Sequence, residues 1–387
     1  MTERVAVIGR GTAGCLTAAW WAYRGHNIDW YYSSGIPPTP VGEGTTPNFT
    51  RFLADALLMG NREIHKFQGT AKLGVNYRNW GNNKPDWVHY FGGAEYGVHF
   101  NASKFQERIF EIAENTENIN TIDAVVNPQE LEGYKAVLSC TGKLLDENVG
   151  YTPRKYIPVN AVHVTQCYRD KCIESSFTDT IARKWGWVFI VPLQNRASVG
   201  YLYNKDITSL DAVKEDVQNV FDEYRLNPSD TTNSFTFGNY SKDALVEGNV
   251  YYNGNSAFFL EPMEATTIDC SLRLAESYYN AINGGINSNT ISGSFKGLLD
   301  EIELFIMLRY AAGSNFKTEF WDFAQDSARR CIEQSVASLG LKDVLYNGLH
   351  ANSPQRNISR PIYLANHSVS ASIEGLGVEK LIQSYVG

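Results

Sequence analysis

Three glycines near the start of the chain have the spacing that binds the pyrophosphate of a dinucleotide. Gly9, Gly11 and Gly14 follow the apolar run of residues 5–8, and a helix-forming stretch at 17–22 comes after them. The first glycine permits a tight turn, the second lets the pyrophosphate approach the backbone, and the third lets helix and strand pack closely. The phosphates then lie at the positive end of the helix. A chance cluster of glycines is the alternative, which the flanking strand and helix disfavour.

Three further stretches could do chemistry, although none is decisive alone. A Gly-Glu-Gly turn at residues 42–44 precedes two threonines and could bring backbone and a carboxylate against a cofactor. Lys72 begins an alternating stretch that predicts a strand with one polar face, but a single lysine is most often solvated. Glu261 and Glu264 precede a predicted helix at 269–282, which either residue could cap.

The second predicted strand, residues 28–32, ends without the acidic residue that often binds the adenosine ribose. Tyr32, Ser33 and Ser34 stand there instead, so a ribose contact must come from a hydroxyl group or from the backbone. No second GxGxxG is present, because the GLG at 375–377 lacks the third glycine. The chain is therefore predicted to hold one dinucleotide, and if that is FAD, its electrons must arrive from elsewhere.

The remaining elements follow from periodicity and from runs of strand-forming residues. Helices are predicted at 105–114, 213–224, 298–312 and 320–338. Strands are predicted at 125–126, 136–142, 185–192 and 250–260. The last forty or so residues give no clear pattern.

Composition narrows the class of protein. The length of 387 residues allows two domains or one large composite domain. A net charge of −8 without a basic stripe argues against binding of nucleic acid. The six cysteines are scattered without zinc-site spacing, so we expect reduced thiols and no metal. No signal peptide and no run of apolar residues long enough to cross a membrane is apparent, which predicts a cytoplasmic protein that does not associate with membranes.

Four motifs together resemble those of the flavin-dependent halogenases, the tryptophan halogenase family. GRGTAG at 9–14 is the dinucleotide motif, and VGEGTTPNF at 41–49 is similar to the family's Val-Gly-Glu-Ala-Thr segment. GWVFIVP at 186–192 is similar to GWxWxIP, with Phe189 in place of the second Trp. LEPMEATTI at 260–268 is similar to LEPLESTGI. The resemblance covers residues 4–345 in the same order, which is far more specific than any one motif.

The resemblance implies an α/β fold in which an FAD-binding Rossmann-like domain of the glutathione-reductase type carries a mixed and helical substrate region. Residues 1–345 would form one composite unit. Its FAD part would lie near 1–50, 96–145 and 150–282, and its substrate-facing parts near 51–95 and 283–345. Residues 346–387 would complete the substrate region.

The resemblance also implies a reaction. Reduced FAD from a separate flavin reductase, together with O2, oxidises a halide ion to hypohalous acid. This acid passes through a tunnel to a lysine beside a small, electron-rich aromatic substrate. The lysine either becomes a haloamine or hydrogen-bonds the acid, and the substrate carbon then attacks the halogen. The oligomeric state is left open.

Site residues are carried over from the family by position. Lys72 and Glu264 match its catalytic pair, and Thr266 and Thr267 match the residues whose backbone N–H groups bind halide. Trp187 and Phe189 match residues near the flavin, although they also suit a strand buried on both faces. The FAD contacts implied in this way are Gly9, Gly11, Thr12, Ala13, Gly14, Ser33, Ile36, Pro38, Glu43, Gly44, Val125, Asn255 and Ile268.

The departures from the family pattern affect the halide and the substrate. Thr267 stands where the family has Gly, and its Cβ restricts φ, so bromide and iodide deserve testing beside chloride. The segment between Trp80 and Tyr96 and the C-terminal region are short, which predicts an open pocket for varied aromatic substrates.

Two alternatives remain at this point. One is a flavin monooxygenase that hydroxylates an aromatic and needs neither Lys72 nor Glu264. The other is a catalytically inactive FAD-binding protein.

Overall fold

The computed structural model describes residues 4–36, 43–57, 59, 63–81, 84–93, 95–143, 149–168, 176–351, 363–364 and 366–387. The chain divides into two units. The first combines Met1–Lys72, Tyr96–Pro153 and Tyr240–Lys296, and the second combines Leu73–Glu95, Arg154–Asn239 and Gly297–Gly387. The domain boundaries predicted from the sequence stay a prediction.

The described residues form short strands in both units. In chain order they are β1 (Arg4–Ile8), β2 (Asn27–Tyr32), β3 (Thr70–Lys72), β4 (Gly74–Arg78), β5 (Trp87–Tyr90), β6 (Gly97–His99), β7 (Ile119–Asp123), β8 (Ala136–Ser139), β9 (Tyr151–Pro153), β10 (Ala161–Tyr168), β11 (Phe177–Arg183), β12 (Gly186–Pro192), β13 (Arg196–Tyr203), β14 (Asn227–Thr236), β15 (Tyr240–Lys242), β16 (Val246–Glu247), β17 (Val250–Tyr252) and β18 (Phe258–Phe259).

Most α-helices of the described residues are longer than the strands, and helices dominate the C-terminal third. They are α1 (Thr12–Tyr23), α2 (Pro47–Leu57), α3 (Ala102–Glu114), α4 (Leu210–Glu223), α5 (Thr266–Gly284), α6 (Ser288–Ala312), α7 (Glu319–Val336), α8 (Leu339–Leu349), α9 (Asn366–Leu376) and α10 (Glu379–Val386). Single turns of 3₁₀-helix lie at Ile64–Phe67, Pro128–Glu130, Gly254–Ser256 and Met263–Ala265.

The first unit is built on a six-stranded sheet with the order β16-β17-β8-β1-β2-β7. The strands from β17 to β7 run parallel, and β16 is antiparallel at the edge. Residues 5–8 of β1 are at most 5% exposed, as expected for an inner strand covered on both faces. The α/β fold with a parallel sheet that the glycine motif predicted is confirmed.

Two glycines of the motif are required by the close approach of β1 and α1. Gly9 has a φ of +109°, a region that L-residues with a side chain rarely adopt. A Cβ on Gly14 would lie 2.0 Å from the carbonyl oxygen of Gly9. A Cβ on Gly11 would meet nothing within 4 Å. Gly9 and Gly14 are therefore fixed by the fold, whereas Gly11 faces open space.

The strand predicted at residues 125–126 is wrong. β7 ends at Asp123, which pairs with Tyr32 at the end of β2. Beyond that pair β2 offers no further strand partner, and Ala124 closes the ladder by donating its N–H to the Tyr32 carbonyl at 2.8 Å. Val125 is 76% exposed. The strand predicted at 250–260 is also divided, because the 3₁₀ turn at Gly254–Ser256 separates β17 from β18.

Two small sheets complete the first unit. One has the order β18-β15-β9, and the other pairs β3 with β6. Lys72 was expected to begin a strand, but it is the last residue of β3, and β4 begins two residues later in the second unit. The alternating stretch therefore belongs to two strands in two sheets, a division that alternation alone does not show.

The second unit contains a seven-stranded sheet with the order β14-β10-β13-β12-β11-β4-β5. Neighbouring strands are antiparallel except β4 and β11, which are parallel. The apolar side of α4, with Val213, Val217, Val220 and Phe221, packs with inward-facing residues of β10–β13 in one buried cluster. The helical spacing read from the sequence at 213–224 is thereby confirmed.

Trp187 and Phe189 lie on β12 in the second unit. Trp187 is 1% exposed, and its indole N–H donates to the hydroxyl of Tyr310 at 3.0 Å. The ring of Phe189 lies against Gly200, where a Cβ would come within 2.1 Å of it. A strand with both faces packed accounts for these contacts, and the proximity of the two residues to a flavin stays a prediction.

The C-terminal helices α8, α9 and α10 were not predicted. Their periodicity is hard to read because polar residues face the interior. In α8, Asp343 and Asn347 are buried beside Val344 and Leu345. α10 has only eight residues and buries only Ile382 and Val386. A helix that buries polar side chains, or that is this short, shows no clear apolar stripe in its sequence.

The described cysteines are all buried free thiols, namely Cys15, Cys140, Cys167, Cys270 and Cys331. Burial raises the pKa of each of these thiols above its ordinary value. Cys172 lies outside the described residues. Within the described ranges, no helix has the length and apolar character needed to cross a bilayer.

The different surroundings of Gly14 and Gly11 predict different costs for the same substitution. In Gly14→Ala the new Cβ must displace the Gly9 carbonyl, which lies 2.0 Å away. We expect the free energy of unfolding to fall by about 1 to 3 kcal/mol, as for overpacked cores. Gly11→Ala should change it by less than about 0.5 kcal/mol. Urea unfolding of both variants checks this, and equal losses would contradict the packing argument.

Candidate active site

Lys72 is positioned by the two-stranded sheet of β3 and β6. Lys72 pairs with Gly97, and Thr70 pairs with His99, so the side chains of Thr70, Lys72 and His99 share one face. The imidazole Nδ1 of His99 lies 3.3 Å from the hydroxyl oxygen of Thr70. Lys72 is only 1% exposed, and His99 is fully buried. The interpretation of Lys72 as a solvated surface lysine is therefore wrong.

The segment 43–45, which we call the turn, lies against the other edge of β6. Phe100 donates its N–H to the Glu43 carbonyl at 2.9 Å, and Gly44 forms an antiparallel β-bridge with His99. The hydroxyl of Thr45 accepts from the Val98 N–H at 2.7 Å and donates to the Val98 carbonyl at 2.9 Å. These contacts fix the backbone of residues 43–45 to β6.

Gly97 lets the turn come this close. A Cβ on Gly97 would lie 2.5 Å from the carbonyl oxygen of Thr45, so a side chain at this position would push the turn away. Gly97 is also the residue opposite Lys72. Gly97 therefore lets residues 43–45 approach one edge of β6, and it faces Lys72 of β3 at the other edge.

The turn, the lysine and the start of α5 converge at Gly44. A Cβ built on Gly44 would lie 3.6 Å from the Lys72 nitrogen, 3.6 Å from the Ala265 Cβ and 3.9 Å from the His99 Cδ2. Residues 44, 72 and 265 come from three separate segments of the sequence. The structure thus brings the lysine together with two of the four resemblance motifs within the first unit.

The lysine has an unusual acidity. Burial lowers the pKa of Lys72 to about 8 from the ordinary 10.5, because a charged amine loses its hydration there. The carboxylate of Glu264 acts in the opposite direction and raises the pKa of Lys72. Glu264 is itself 8% exposed. At neutral pH a substantial minority of the amine is therefore neutral and nucleophilic.

The backbone before α5 is strained. Glu264 has a φ of 66° and Ala265 a φ of 54°, so two consecutive residues with side chains adopt the left-handed region. Ala265 is the N-cap residue of α5, and no side chain caps this helix in the described part of the chain. The interpretation of Glu264 as a helix cap is therefore wrong.

The start of α5 directly follows the 3₁₀ turn at Met263–Ala265. The first N–H groups of a helix have no partner within the helix, and the helix dipole favours an anion near them. Thr266 and Thr267 are the first two residues of α5. Ala265, just before them, uses its N–H for the Pro262 carbonyl at 3.0 Å. The binding of a halide ion by the N–H groups of Thr266 and Thr267 stays a prediction.

The start of α1 suits the pyrophosphate of FAD. Gly11 is its N-cap residue, makes no side-chain capping bond and faces open space. Ala13 packs against the turn at 253–256, because a Cβ on Gly254 would lie 2.5 Å from the Ala13 Cβ. Gln106 donates to the Thr12 hydroxyl at 3.1 Å. A rigid helix start without a capping side chain is what a phosphate group requires.

Other implied FAD contacts border this region. Asn255 accepts a bond from the Tyr240 hydroxyl through its carbonyl at 2.7 Å, and Ile268 is buried in the first turn of α5. Ile36 is 64% exposed, and Val125 is exposed as well, so both side chains lie at the surface. Pro38 lies outside the described residues. All these contacts remain predictions.

No acidic residue stands at the end of β2, but a carboxylate from the adjacent strand lies near that position, which the sequence did not reveal. Asp123, at the end of β7, accepts the N–H of Ser34 at 3.0 Å, and this bonding to Ser34 lowers the pKa of Asp123. A carboxylate therefore lies beside Ser34 after all, supplied by the adjacent strand. Thr45, Gly97 and His99 were also missed. The GVHF run after Tyr96 has the pattern of a short strand. It is the one feature of the sequence that could have indicated Gly97 and His99.

Fold and site together define an α/β protein with a dinucleotide-type glycine motif on a parallel sheet and a buried lysine near a helix start. Comparison with known proteins gives the family. The sequence profile of the tryptophan halogenases matches residues 4–137 and 140–339. The chain belongs to the tryptophan halogenase family, whose members are flavin-dependent halogenases. The family predicted from the four motifs is confirmed.

Individual relatives are distant. Tryptophan 7-halogenase KtzQ of Kutzneria sp. (strain 744) is 24% identical over 229 residues, which are 57% of this chain and 42% of that protein. Tryptophan 7-halogenase RebH of Lentzea aerocolonigenes is 20% identical over 417 aligned positions, covering 82% of this chain and 78% of that protein. The first match thus spans less than half of the relative's length.

Solved structures share the fold. BrvH, a flavin-dependent halogenase from Brevundimonas sp. BAL3, superposes with a TM-score of 0.78 at 19% identity, covering 97% of this chain and 90% of that chain. At this identity the likeness establishes the fold. The predicted FAD-binding Rossmann-like fold with an appended substrate region is confirmed.

The depressed pKa of Lys72 predicts a pH dependence of stability. Between about pH 8 and 10.5 the unfolded chain keeps a proton on Lys72 that the folded chain has lost, so folding becomes more favourable as the pH rises. Relative to Lys72→Met, the wild type should gain about 3 kcal/mol of unfolding free energy across this window. Urea unfolding at a series of pH values measures the difference. A difference that does not change with pH would show an ordinary lysine.

Proposed function

We propose that this chain uses reduced FAD, O2 and a halide ion to halogenate a small, electron-rich aromatic compound through Lys72. The observation that carries the proposal is the buried amine of Lys72, which lies beside Glu264 and Ala265 at the start of α5. A flavin monooxygenase has no use for such an amine. The balanced reaction is FADH2 + O2 + X⁻ + H⁺ + ArH → FAD + ArX + 2 H2O, where X is the halogen and ArH the substrate.

The flavin and the halide have separate places in the first unit. Gly11, Thr12 and Ala13 would hold the pyrophosphate of FAD, which when bound would supply the two-electron oxidation of the halide. The N–H groups of Thr266 and Thr267 hold the halide ion. Because the sequence carries one dinucleotide motif, the electrons come from a separate flavin reductase that releases FADH2.

Lys72 transfers the halogen to the substrate. The neutral amine attacks the halogen of hypohalous acid, so that Lys–NH2 + HOX gives Lys–NHX + H2O. The aromatic carbon then attacks the same halogen, so that ArH + Lys–NHX gives ArX + Lys–NH2. Glu264 accepts the proton that leaves the ring carbon and returns it to the lysine nitrogen. The amine nitrogen is regenerated after each cycle.

The substrate is an aromatic compound that need not be tryptophan. The relatives named above are tryptophan halogenases, which supports an indole as one candidate. The segment between Trp80 and Tyr96 is short for the family, which supports a wider range of phenols and indoles. The halide is chloride, bromide or iodide, since Thr267 carries a Cβ where the family has none.

The direct test is an assay with and without halide. Purified protein with a flavin reductase, FAD, NADH and bromide is given tryptophan, indole or a phenol, and products are measured by mass spectrometry. We expect bromination by the wild type, a loss of at least about 100-fold in Lys72→Met, and full activity in Lys104→Met, which changes an exposed lysine paired with Glu107. Product that forms without halide would indicate hydroxylation, and no turnover with any substrate would indicate an inactive FAD-binding protein.

The pH dependence separates the two possible roles of the lysine. If the neutral amine attacks, the halogenation rate rises as the pH increases through about 8. In Glu264→Gln the loss of the carboxylate removes the effect that raises the pKa of Lys72, so any residual rate should rise at a lower pH. The pH at which cyanate labels Lys72 gives the same titration without flavin. A rate that falls through pH 8 would indicate that the ammonium acts as a hydrogen-bond donor instead.

A further inference from the structure

The buried side of α3 carries one polar residue, Gln106, which is only 2% exposed. The other buried residues of this helix are apolar, namely Ala102, Phe105, Ile109, Phe110 and Ala113. The amide oxygen Oε1 of Gln106 has no hydrogen-bond partner in the part of the chain that the structure describes. An unpaired buried acceptor destabilises a folded chain, and an apolar side chain would avoid that cost. Packing alone therefore does not explain the glutamine.

The amide nitrogen of Gln106 reaches the start of α1. Nε2 donates a hydrogen bond to the hydroxyl oxygen of Thr12 at 3.1 Å, and Thr12 is the first residue of α1. Thr12 is half-buried, whereas Gln106 is buried. The bond thus connects a polar group in the interior to a helix start that solvent reaches.

The hydroxyl of Thr12 keeps its own proton for another acceptor. A threonine hydroxyl can donate one hydrogen bond while its oxygen accepts others. Its oxygen accepts from Gln106, and no acceptor for its proton lies among the described residues. The adjacent N-cap residue, Gly11, makes no side-chain capping bond and faces open space. The start of α1 therefore presents a hydroxyl proton beside backbone N–H groups, where the helix dipole favours an anion.

We infer that Gln106 is a positioning residue for the pyrophosphate of FAD, which directs the proton of the Thr12 hydroxyl towards a phosphate oxygen. The pyrophosphate is ionised at neutral pH and only accepts hydrogen bonds, so Thr12 binds it as a donor. The oxygen of Thr12 then needs a donor of its own, and the NH2 group of Gln106 is one. Two bonds in the same direction also strengthen each other. The inference rests on the FAD site of the proposed function and adds a residue outside the glycine motif.

FAD binding tests the inference without turnover. The dissociation constant of FAD is measured with the purified FAD-free protein by quenching of flavin fluorescence. Gln106→Leu removes the donor and should weaken binding about tenfold, the effect of one hydrogen bond to a charged group. Gln106→Glu keeps the shape but takes the Thr12 proton and repels the phosphate, so binding should weaken about 100-fold. Dissociation constants equal to that of the wild type in both variants would overturn the inference.

The stability of the FAD-free protein distinguishes positioning from packing. Gln106→Leu removes the unpaired oxygen, and water can replace the lost bond at the half-buried Thr12 hydroxyl. The urea midpoint of this variant should therefore equal or exceed that of the wild type while FAD binds more weakly. A lower midpoint with an unchanged dissociation constant would show that Gln106 only packs α3 against α1.

The matched control removes an amide from the opposite end of α1. Asn118 donates to the carbonyl oxygens of Ala22 and His26 at 2.8 and 2.9 Å, so Asn118→Leu changes the same helix away from its start. This variant should bind FAD as tightly as the wild type. An equal loss of FAD affinity in Asn118→Leu and Gln106→Leu would contradict a specific role of Gln106.

A double variant tests whether Gln106 acts through Thr12. Thr12→Val should weaken FAD binding by itself, and adding Gln106→Leu to it should change the dissociation constant less than about twofold, because the group that Gln106 positions is already gone. Fully additive losses would refute the inference. If the wild type binds no FAD, the proposed function fails as well, whereas equal binding by wild type and the Gln106 variants overturns this inference alone.

Discussion

The burial of the Lys72 amine constrains which residues can surround it. Lys72 is almost wholly buried, and the free energy of dehydrating its charge is what brings its pKa near neutrality. The acidic neighbour Glu264 raises that pKa and only partly offsets the burial. A more polar environment would return the amine to its ordinary charged state. Three small residues lie around it, namely Gly44, Gly97 and Ala265.

The site is assembled from short elements on a rigid base. β3 and β6 have three residues each, and the turn at 43–45 is held by four backbone-directed hydrogen-bonded contacts to β6 and its flanking residue. The turn at Glu264 and Ala265 is left-handed throughout and is followed by the 19-residue helix α5. The helix α5 and the hydrogen-bonded turn at 43–45 therefore hold the site residues on rigid elements.

Much of this could be predicted from the sequence. The glycine spacing predicted the parallel sheet because β1, α1 and their close approach leave few alternatives. Amphipathic helices such as α4 were evident from their apolar spacing. The family motifs located Lys72, Gly44 and Glu264, which the fold then brings together. What the sequence did not reveal depends on partners distant in the chain. Thr45 and Gly97 act by contact across a sheet edge, and Asp123 reaches Ser34 from another strand.

The errors have similar causes. Residues 125–126 have strand-forming side chains but no strand left to pair with, because β2 has already ended at Tyr32. Lys72 ends one strand in one sheet, whereas continuous alternation predicted a single strand. In α8, buried Asp343 and Asn347 weaken the amphipathic pattern that would have predicted a helix. Pairing and buried polar contacts are tertiary properties, which local propensity does not encode.

The buried thiols have a consequence for the proposed reaction, which would generate electrophilic halogen within the protein. Such an oxidant attacks sulfur readily, and the thiolate is the form that reacts fastest. Burial raises the pKa of Cys140 and of Cys167 to about 12, so both sulfur atoms remain protonated at neutral pH and shielded from dissolved oxidant. The interior positions of the five described cysteines would therefore protect the protein from inactivation by the oxidant that the proposed reaction produces.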